Sequence, residues 1–193
     1  LGYDSIKDYD YLILSPCLGE LFYEFDYNAK SNLMFKNLPE STTENTMVGL
    51  HFRGTDFYMW NPKSILDFNY YKSSVDYCIG NYKDIIFTLY TDDRSLQSFK
   101  QTIEYLESAG KDFRLGPNTT SGNGYIADFI NLTLSDVIIS SPSTFSICAG
   151  FLHKEKDIIH NREWVELQAN QKDEFWSGLY NGGNSNYKIK IML

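Results

Sequence analysis

Residues 85–106 have the sequence IIFTLYTDDRSLQSFKQTIEYL, in which two segments differ in hydrophobic pattern. Ile85–Tyr90 is a largely apolar run, which is typical of a strand covered on both faces. The second segment carries apolar residues at the spacing of one helical face, namely Leu96, Phe99, Ile103 and Leu106. Asp92 or Asp93 is placed to cap this helix and Gly110 to end it. The stretch therefore predicts a buried strand followed by an amphipathic helix.

Strands and helices alternate on both sides of this stretch. The hydrophobic pattern predicts further strands at 47–53, 113–115, 137–139, 157–160 and 187–191, and further helices at about 70–79, 125–134 and 144–153. We expect the first of these helices to end at Gly80. Because parallel strands need a crossover helix between them, the alternation predicts an α/β fold with a Rossmann-like parallel sheet and helices on both faces. The last strand alternates apolar residues with lysine, as edge strands do.

The first 45 residues do not share this alternation. Their many aromatic residues follow no clean period, and we interpret them as packing material. A polar loop at 40–45 separates them from the regular part of the chain, so we expect a boundary near residue 45. The chain begins with Leu1, which is consistent with a fragment.

Charge and cysteine content restrict the partners and the compartment. Seventeen basic and 25 acidic residues give a formal charge of −8, which predicts no nucleic-acid partner. No apolar run is long enough for a transmembrane segment. Three cysteines, at positions 17, 78 and 148, form neither a disulfide framework nor a zinc-ligand pattern, which favours a reducing, cytoplasmic location. A membrane-peripheral position and a Golgi or secretory lumen stay open as alternatives.

Three polar clusters directly follow predicted strands. They lie at 51–56 (HFRGTD), 91–93 (TDD) and 140–146 (SSPSTFS). In an open parallel sheet, ligands bind in the crevice beyond the carboxyl ends of the strands, which all lie at one edge. We therefore expect the three clusters to contribute to one site.

Arg53 and His51 are the first candidates for chemistry in this site. A guanidinium is always charged and matches the geometry of a phosphate group, so Arg53 predicts an anionic ligand. The alternative is an internal ion pair with Asp56. His51 lies two residues earlier on the same face of the strand and is a candidate catalytic base. Its alternative role is to fix a loop by hydrogen bonds.

The third cluster combines a strand end, a turn and the start of a helix. Ser143 or Thr144 is placed to cap that helix. A helix N-terminus carries unpaired N–H groups and about half a positive charge, so this segment can hold phosphate or can simply be capped. Asp92 and Asp93 likewise either cap a helix or accept hydrogen bonds from the base or ribose of a nucleotide.

A divalent metal ion is a further alternative. Four side chains could converge to hold one: His51, Asp56, Asp92 and Asp93. The sequence lacks the local ligand spacing of a zinc site. It also lacks a nucleophile elbow, a Walker loop and a glycine-rich dinucleotide fingerprint, which excludes the commonest hydrolases, NTPases and dehydrogenases.

Three motifs in the same order resemble those of the fucosyltransferase superfamily, which includes α-1,2-, α-1,6- and protein O-fucosyltransferases. The first is His51-x-Arg53-x-x-Asp56, which resembles H-x-R-x-x-D. The second, residues 89–96, resembles a strand that ends in Thr-Asp-Asp before a helix. The third is most similar to the α-1,2 branch and comprises Asp128, the run 134–139, Ser143-Thr144-Phe145-Ser146 and Ala149-Gly150. The resemblance covers roughly residues 47–165.

This resemblance implies an inverting transfer of fucose from GDP-fucose to a glycan or protein hydroxyl, with no cofactor and no obligatory metal. Arg53 would contact the diphosphate of the donor, and Asp92 or Asp93 would read the guanine. The phosphate and nucleotide would be held at the helix start by Ser143, Thr144, Phe145 and Ser146. Asp128 and Asp56 would support the loops, and Asp56 and His51 are the candidates for the base.

The resemblance also implies a division of the chain. Residues 46–193 would form the donor-binding half of a GT-B glycosyltransferase, and residues 1–45 would be a truncated acceptor-side segment. The chain would then be a fragment, a reduced enzyme, or a donor-binding half that works with a partner domain or as a homo-oligomer. The α-1,2 and α-1,6 branches commonly carry a second basic residue at the position of Gly54, which predicts a weaker diphosphate contact here or a different donor.

Two other functions fit the same residues. The first is a non-catalytic module that binds a nucleotide sugar or a glycan without turnover. The second is a metal-dependent phosphoesterase.

Overall fold

A computed structural model describes residues 44–55, 57–117, 124–152, 157–163 and 188–192. Within these ranges the chain forms a six-stranded sheet in the order β3-β2-β1-β4-β5-β6, and every neighbouring pair is parallel. The strands are β1 (Thr46–Phe52), β2 (Ile85–Thr91), β3 (Phe113–Leu115), β4 (Val137–Ile139), β5 (Asp157–Asn161) and β6 (Lys188–Met192). The predicted parallel sheet is confirmed, including its last strand at one edge.

Five α-helices lie in the described residues. They are α1 (Phe57–Trp60), α2 (Phe68–Asn81), α3 (Gln97–Ser108), α4 (Gly124–Leu134) and α5 (Thr144–Leu152). The four longer helices are those that the sequence predicts. The single turn α1 and the 3-10 turn that follows it (Pro62–Ser64) were not predicted, because so short an element has no hydrophobic period to detect.

Helices cover both faces of the sheet. Val48, Leu50 and Phe52 of β1 belong to the same apolar cluster as buried residues of α2 and α3. The intervening residues point the other way, since the position of Gly49 adjoins Leu132 of α4. Successive residues of a strand face opposite sides of the sheet, so one strand serves two cores. The fold is therefore the predicted Rossmann-like α/β sheet.

Three details of the prediction are wrong. Helix α2 continues through Gly80 to Asn81. Gly80 does not adopt the positive φ by which a glycine ends a helix, so the helix passes through it. Neither Asp92 nor Asp93 caps α3, whose N-cap is Leu96 with no side-chain hydrogen bond. Strand β1 ends at Phe52, so Arg53 belongs to the following loop. The predicted helix end at Gly110 is confirmed, and its φ of +61° is the left-handed conformation that glycine adopts readily.

Aromatic packing fixes the carboxyl end of β1. The ring of Phe52 stacks on Tyr71 of α2 at a centroid distance of 4.0 Å and meets Phe99 of α3 edge-on at 5.3 Å. The Tyr71 hydroxyl donates a hydrogen bond of 3.1 Å to the carbonyl oxygen of His51. Burial of a side chain such as Phe52 contributes about 1.5–3 kcal/mol. The backbone before Arg53 is therefore held in place by buried aromatic side chains.

The strand order reverses between β1 and β4. The chain runs from β1 outward to β2 and β3, then returns to the other side of β1 and continues through β4 to β6. At such a switch point the loops diverge to opposite faces and leave a crevice at the carboxyl ends of the two strands. The first and third polar clusters follow these two strands.

Candidate functional site

A hydrogen bond joins the two sides of the switch point. His51 Nδ1 lies 2.8 Å from Ser141 Oγ, and the His51 ring stacks on Phe145 of α5 at 5.2 Å. His51 is the next-to-last residue of β1, and Ser141 lies in the turn between β4 and α5. The structure thus brings the first and third clusters together.

Burial controls the protonation of His51. Its side chain is 5% exposed, and burial, with a smaller effect of the nearby Arg53 charge, lowers the pKa of His51 to about 3. The imidazole is therefore neutral near pH 7. In that state one ring nitrogen donates and the other accepts, which suits a fixed hydrogen bond to the Ser141 hydroxyl.

Asp92 connects the second cluster to the first. Its Oδ1 accepts a hydrogen bond from Gly54 N at 2.8 Å. Its Oδ2 accepts one from Thr55 Oγ1 at 2.6 Å and forms an ion pair with Arg53 Nη1 at 2.9 Å. One carboxylate at the end of β2 therefore holds three successive residues of the loop that follows β1.

The Arg53 guanidinium is oriented but not enclosed. Its side chain is 30% exposed, and its Cζ lies 5.4 Å from the centroid of the Phe57 ring. The ion pair seen here joins Arg53 to Asp92. Asp56 lies outside the described residues, so its pairing with Arg53 and its catalytic role stay predictions.

Asp93 takes part in a local turn. Its Oδ1 accepts hydrogen bonds from Ser95 N at 2.8 Å and Ser95 Oγ at 2.6 Å. Its own N–H donates to Thr91 Oγ1 at 3.0 Å. These bonds shape the connection between β2 and α3.

The start of α5 contains both a cap and a buried brace. Ser143 Oγ accepts a hydrogen bond from Phe145 N at 3.3 Å. Ser146 is fully buried, with its Oγ 2.8 Å from Ser140 Oγ and 3.2 Å from the Ser143 carbonyl oxygen, to which it donates. Thr144 is the first residue of the helix, and its side chain lies outside the described part of the structure. Of the predicted donor-binding residues, Ser146 thus supports the turn from inside, and Phe145 packs against His51.

Gly54 is buried where two loops touch. A Cβ added at this position would lie 2.9 Å from Asp93 Cβ and 3.1 Å from Leu96 Cδ1. The second basic side chain that the resemblance to the fucosyltransferase motifs implies at this position has no room unless these residues move. The close approach of the loops is therefore a physical reason for glycine at position 54.

Asp128 lies on α4 and interacts electrostatically with Tyr90 of β2 and with Arg94, which follows that strand. Its Oδ1 atom is buried and accepts no hydrogen bond from the described residues. Burial raises the pKa of Asp128, and the nearby Arg94 charge opposes this rise. Arg94 Nη2 in turn donates to the Gly116 carbonyl oxygen at 3.1 Å. A carboxylate with an unused buried acceptor is thus held close to the second cluster.

Two features are absent from the residues that the structure describes, namely a cluster of metal ligands and a membrane-spanning helix. No three His, Cys, Asp or Glu side chains there are grouped as metal ligands would be. No helix there is both long enough and apolar enough to cross a membrane.

Sequence reasoning missed the partners that assemble the site. Ser141 and Thr55 were part of predicted clusters, but nothing in the pattern matched them to His51 and Asp92. Arg94 and Tyr71 were not selected at all. The pairing of His51 with Ser141 spans 90 positions of the chain, so only the folded sheet reveals it.

These features define a Rossmann-like α/β protein that gathers polar side chains at the switch point of a parallel sheet. The family model described as glycosyl transferase family 11 matches residues 20–180, more than four-fifths of the chain. The chain therefore belongs to glycosyl transferase family 11, the family of α-1,2-fucosyltransferases, and the predicted membership of the fucosyltransferase superfamily is confirmed. A search of curated proteins and a search of solved structures each found no match.

Gly54→Ala tests the close approach of the two loops. We expect the added methyl group to lower the free energy of unfolding by about 1–3 kcal/mol, because it overlaps Asp93 and Leu96. Urea unfolding measures this change. The matched control is Gly80→Ala on the exposed side of α2, where a Cβ meets no atom within 4 Å, and we expect it to stabilise by about 0.4–1 kcal/mol. Equal stability of Gly54→Ala and the wild type would contradict the overlap.

Acidification tests the burial of neutral His51. The unfolded state protonates near pH 6.5 and the folded state near pH 3, so stability is lost as the pH falls from 6.5 towards 3. At pH 5 this single group costs about 2 kcal/mol. His51→Asn keeps a polar atom near the Nδ1 position but does not titrate. Urea unfolding at pH 7 and pH 5 should therefore show a smaller acid loss in the variant, and identical losses would refute this assignment.

Proposed function

We propose that this chain transfers fucose from GDP-fucose to a glycan hydroxyl with inversion at the sugar. Membership of glycosyl transferase family 11 supports a fucosyltransferase type of glycosyl transfer. The observation that carries the finer proposal is the His51–Ser141 hydrogen bond, which holds the loop of Arg53 against the turn that begins α5. A guanidinium and a helix N-terminus at one crevice fit a diphosphate.

The proposed chemistry is electrostatic. As the bond from the sugar to the diphosphate breaks, negative charge grows on the leaving group and the sugar gains oxocarbenium character. Arg53 and the N-terminal N–H groups of α5 would stabilise the leaving diphosphate. The acceptor hydroxyl attacks the opposite face of the sugar and gives its proton to a general base, so no covalent enzyme intermediate forms.

The Asp92 contact makes Arg53 suitable for this role. A guanidinium has five N–H donors in a fixed fork, and the ion pair with Asp92 is made through Nη1. Because Asp92 also binds the backbone N–H of Gly54, the direction of the Arg53 side chain is tied to the main chain. Preorganised charge of this kind needs little rearrangement as the leaving group develops.

His51 fits a positioning role better than that of the base. A general base is most effective when its pKa is near the working pH, and burial lowers the pKa of His51 to about 3. Its ring is already hydrogen-bonded to Ser141 and stacked on Phe145. We therefore assign to His51 the role of positioning the two sides of the crevice, and we retain Asp56 as the candidate base.

Asp128 fits the guanine better than Asp92 or Asp93. Guanine presents an N–H and an amino group side by side, and a carboxylate accepts both. The oxygens of Asp92 bind the loop after β1, and Asp93 Oδ1 binds Ser95. Asp128 Oδ1 accepts no hydrogen bond from the described residues, so this carboxylate would keep acceptor capacity for a donor of the base.

Arg53→Ala tests the contact with the leaving group. Loss of a charge-assisted bond to the diphosphate should remove about 1.5–3 kcal/mol, which weakens GDP binding roughly 10- to 150-fold. Isothermal titration with GDP measures this change, and transfer from GDP-fucose to a glycan panel should fall at least as far. Arg53→Lys keeps the positive charge but lacks the fork of donors, so its GDP affinity should lie between those of the wild type and Arg53→Ala. A folded Arg53→Ala variant with unchanged GDP affinity would rule out the contact.

The same assay separates the proposed function from its rivals. Transfer that persists in EDTA supports a glycosyltransferase. GDP-fucose binding without transfer would instead indicate a non-catalytic module. Chelator-sensitive release of phosphate without transfer would indicate a phosphoesterase.

Asp128→Asn tests recognition of the base. We expect GDP affinity to fall about 10-fold or more while UDP affinity changes little, because uracil cannot offer the paired donors of guanine. The matched control is Asp92→Asn, which loosens the loop after β1. It should lower the affinities for GDP and for UDP by similar factors. Competition binding of GDP and UDP measures both ratios. Equal losses for GDP and UDP in Asp128→Asn would exclude its contact with the base.

A further inference from the structure

A second pocket opens at the carboxyl end of β5, apart from the crevice between β1 and β4. Its volume is about 260 Å³. The polar part of its lining consists of Lys63, Asp67, Asn161 and Glu163, and the apolar floor includes Leu66 and Tyr70. No part of the donor site described above uses these polar side chains.

The pocket shares a wall with the turn that begins α5. The Tyr70 hydroxyl lies 2.7 Å from the Ser140 carbonyl oxygen and 2.9 Å from the Ile159 carbonyl oxygen, and it is the donor to both. Ser140 in turn contacts Ser146 within the start of α5. Strands β4 and β5 are neighbours, and adjacent strands lie about 4.8 Å apart. The pocket is therefore beside the proposed phosphate site and at the same edge of the sheet.

The size of the pocket fits one small ring. At about 30 Å³ per water molecule, 260 Å³ corresponds to about nine waters. That is space for a monosaccharide. Small-molecule sites combine an apolar surface with a few polar groups that fix orientation. Here Ile65, Leu66 and Tyr70 supply the apolar part of the lining.

The polar rim fits a ligand that is rich in hydroxyl groups. Asp67 and Glu163 accept hydrogen bonds, Lys63 donates them, and the Asn161 amide can do both. Asp67 also caps α2 by accepting from Tyr70 N at 3.2 Å, but a carboxylate has about four acceptor positions. Two carboxylates against one ammonium leave the rim net negative, which disfavours an acidic sugar.

We infer that this pocket binds a neutral or amino-bearing pyranose of the glycan acceptor. The inference rests on the proposed transfer function, because an acceptor hydroxyl must reach the sugar of a donor whose diphosphate lies at α5. The Tyr70 hydrogen bonds keep the acceptor pocket at a fixed distance from that helix start. Glu163 and Asp67 are its specificity-determining carboxylates.

Ligand-observed saturation-transfer NMR on the full chain tests this site. The probes are galactose, N-acetylglucosamine, glucosamine and glucuronate, each titrated in the presence of GDP. We expect at least one of the first three to bind and glucuronate to bind more weakly than that sugar. In the double variant Asp67→Asn, Glu163→Gln, the preferred sugar should lose about 3- to 10-fold in affinity, and glucuronate should gain relative to it. Asparagine also caps helices well, so α2 keeps its N-cap.

Two further measurements make the result specific. The control variant Glu104→Gln removes one exposed carboxylate from α3 and should leave every sugar affinity unchanged. GDP affinity is measured on the same samples and should be the same in the wild type and the double variant. If the wild type binds GDP but none of the sugars, or if the double variant binds them as well as the wild type does, the pocket assignment is wrong and the donor proposal stands. Carboxylate-dependent sugar binding without GDP binding would support the pocket and refute the transfer function.

Discussion

The hydrogen bond between His51 and Ser141 spans the point where the order of the strands reverses, and the candidate site depends on it. In a parallel sheet, the loops on either side of a switch point leave to opposite faces, so the backbone itself leaves a gap. A neutral imidazole, kept neutral by its own burial, joins the two sides at 2.8 Å. Arg53 follows two residues after His51, and α5 begins three residues after Ser141. The ladder between β1 and β4 holds the two strands side by side, and this buried contact joins the segments that lead from them to Arg53 and to α5.

Two carboxylates near this crevice, Asp92 and Asp128, differ in the hydrogen bonds that they accept from the protein. Asp92 accepts hydrogen bonds from Gly54 and Thr55 and forms an ion pair with Arg53, so it fixes the loop after β1 against the end of β2. Asp128 keeps a buried oxygen that accepts no hydrogen bond from the described residues. Asp92 is therefore part of the framework of the site, whereas Asp128 has acceptor capacity that these residues do not use.

The sequence specified the sheet well because its strands are buried on both faces. The run at 85–90 is largely apolar and the short run at 137–139 is apolar throughout, and both form strands of the predicted type. Local chemistry was less informative. An aspartate before a helix is a good cap in general, yet Asp92 turns to β1, because a loop 38 residues away presents an N–H, a hydroxyl and a guanidinium. Partners across strands, such as Ser141 for His51, depend on a strand order that no local pattern encodes.

Gly54 shifts the balance of charge in the proposed donor site. Related fucosyltransferases commonly carry a second basic residue at this position, but here the loops after β1 and β2 touch and leave no room for one. Arg53 would then meet a doubly charged diphosphate with a single cation, in a chain whose net charge is −8. The N-terminus of α5 carries about half a positive charge and several unpaired N–H groups, so it would supply the remaining stabilisation. In the proposed transfer, the buried hydrogen bonds of Ser146 that brace this helix start would therefore matter more to leaving-group stabilisation than they would beside two basic side chains.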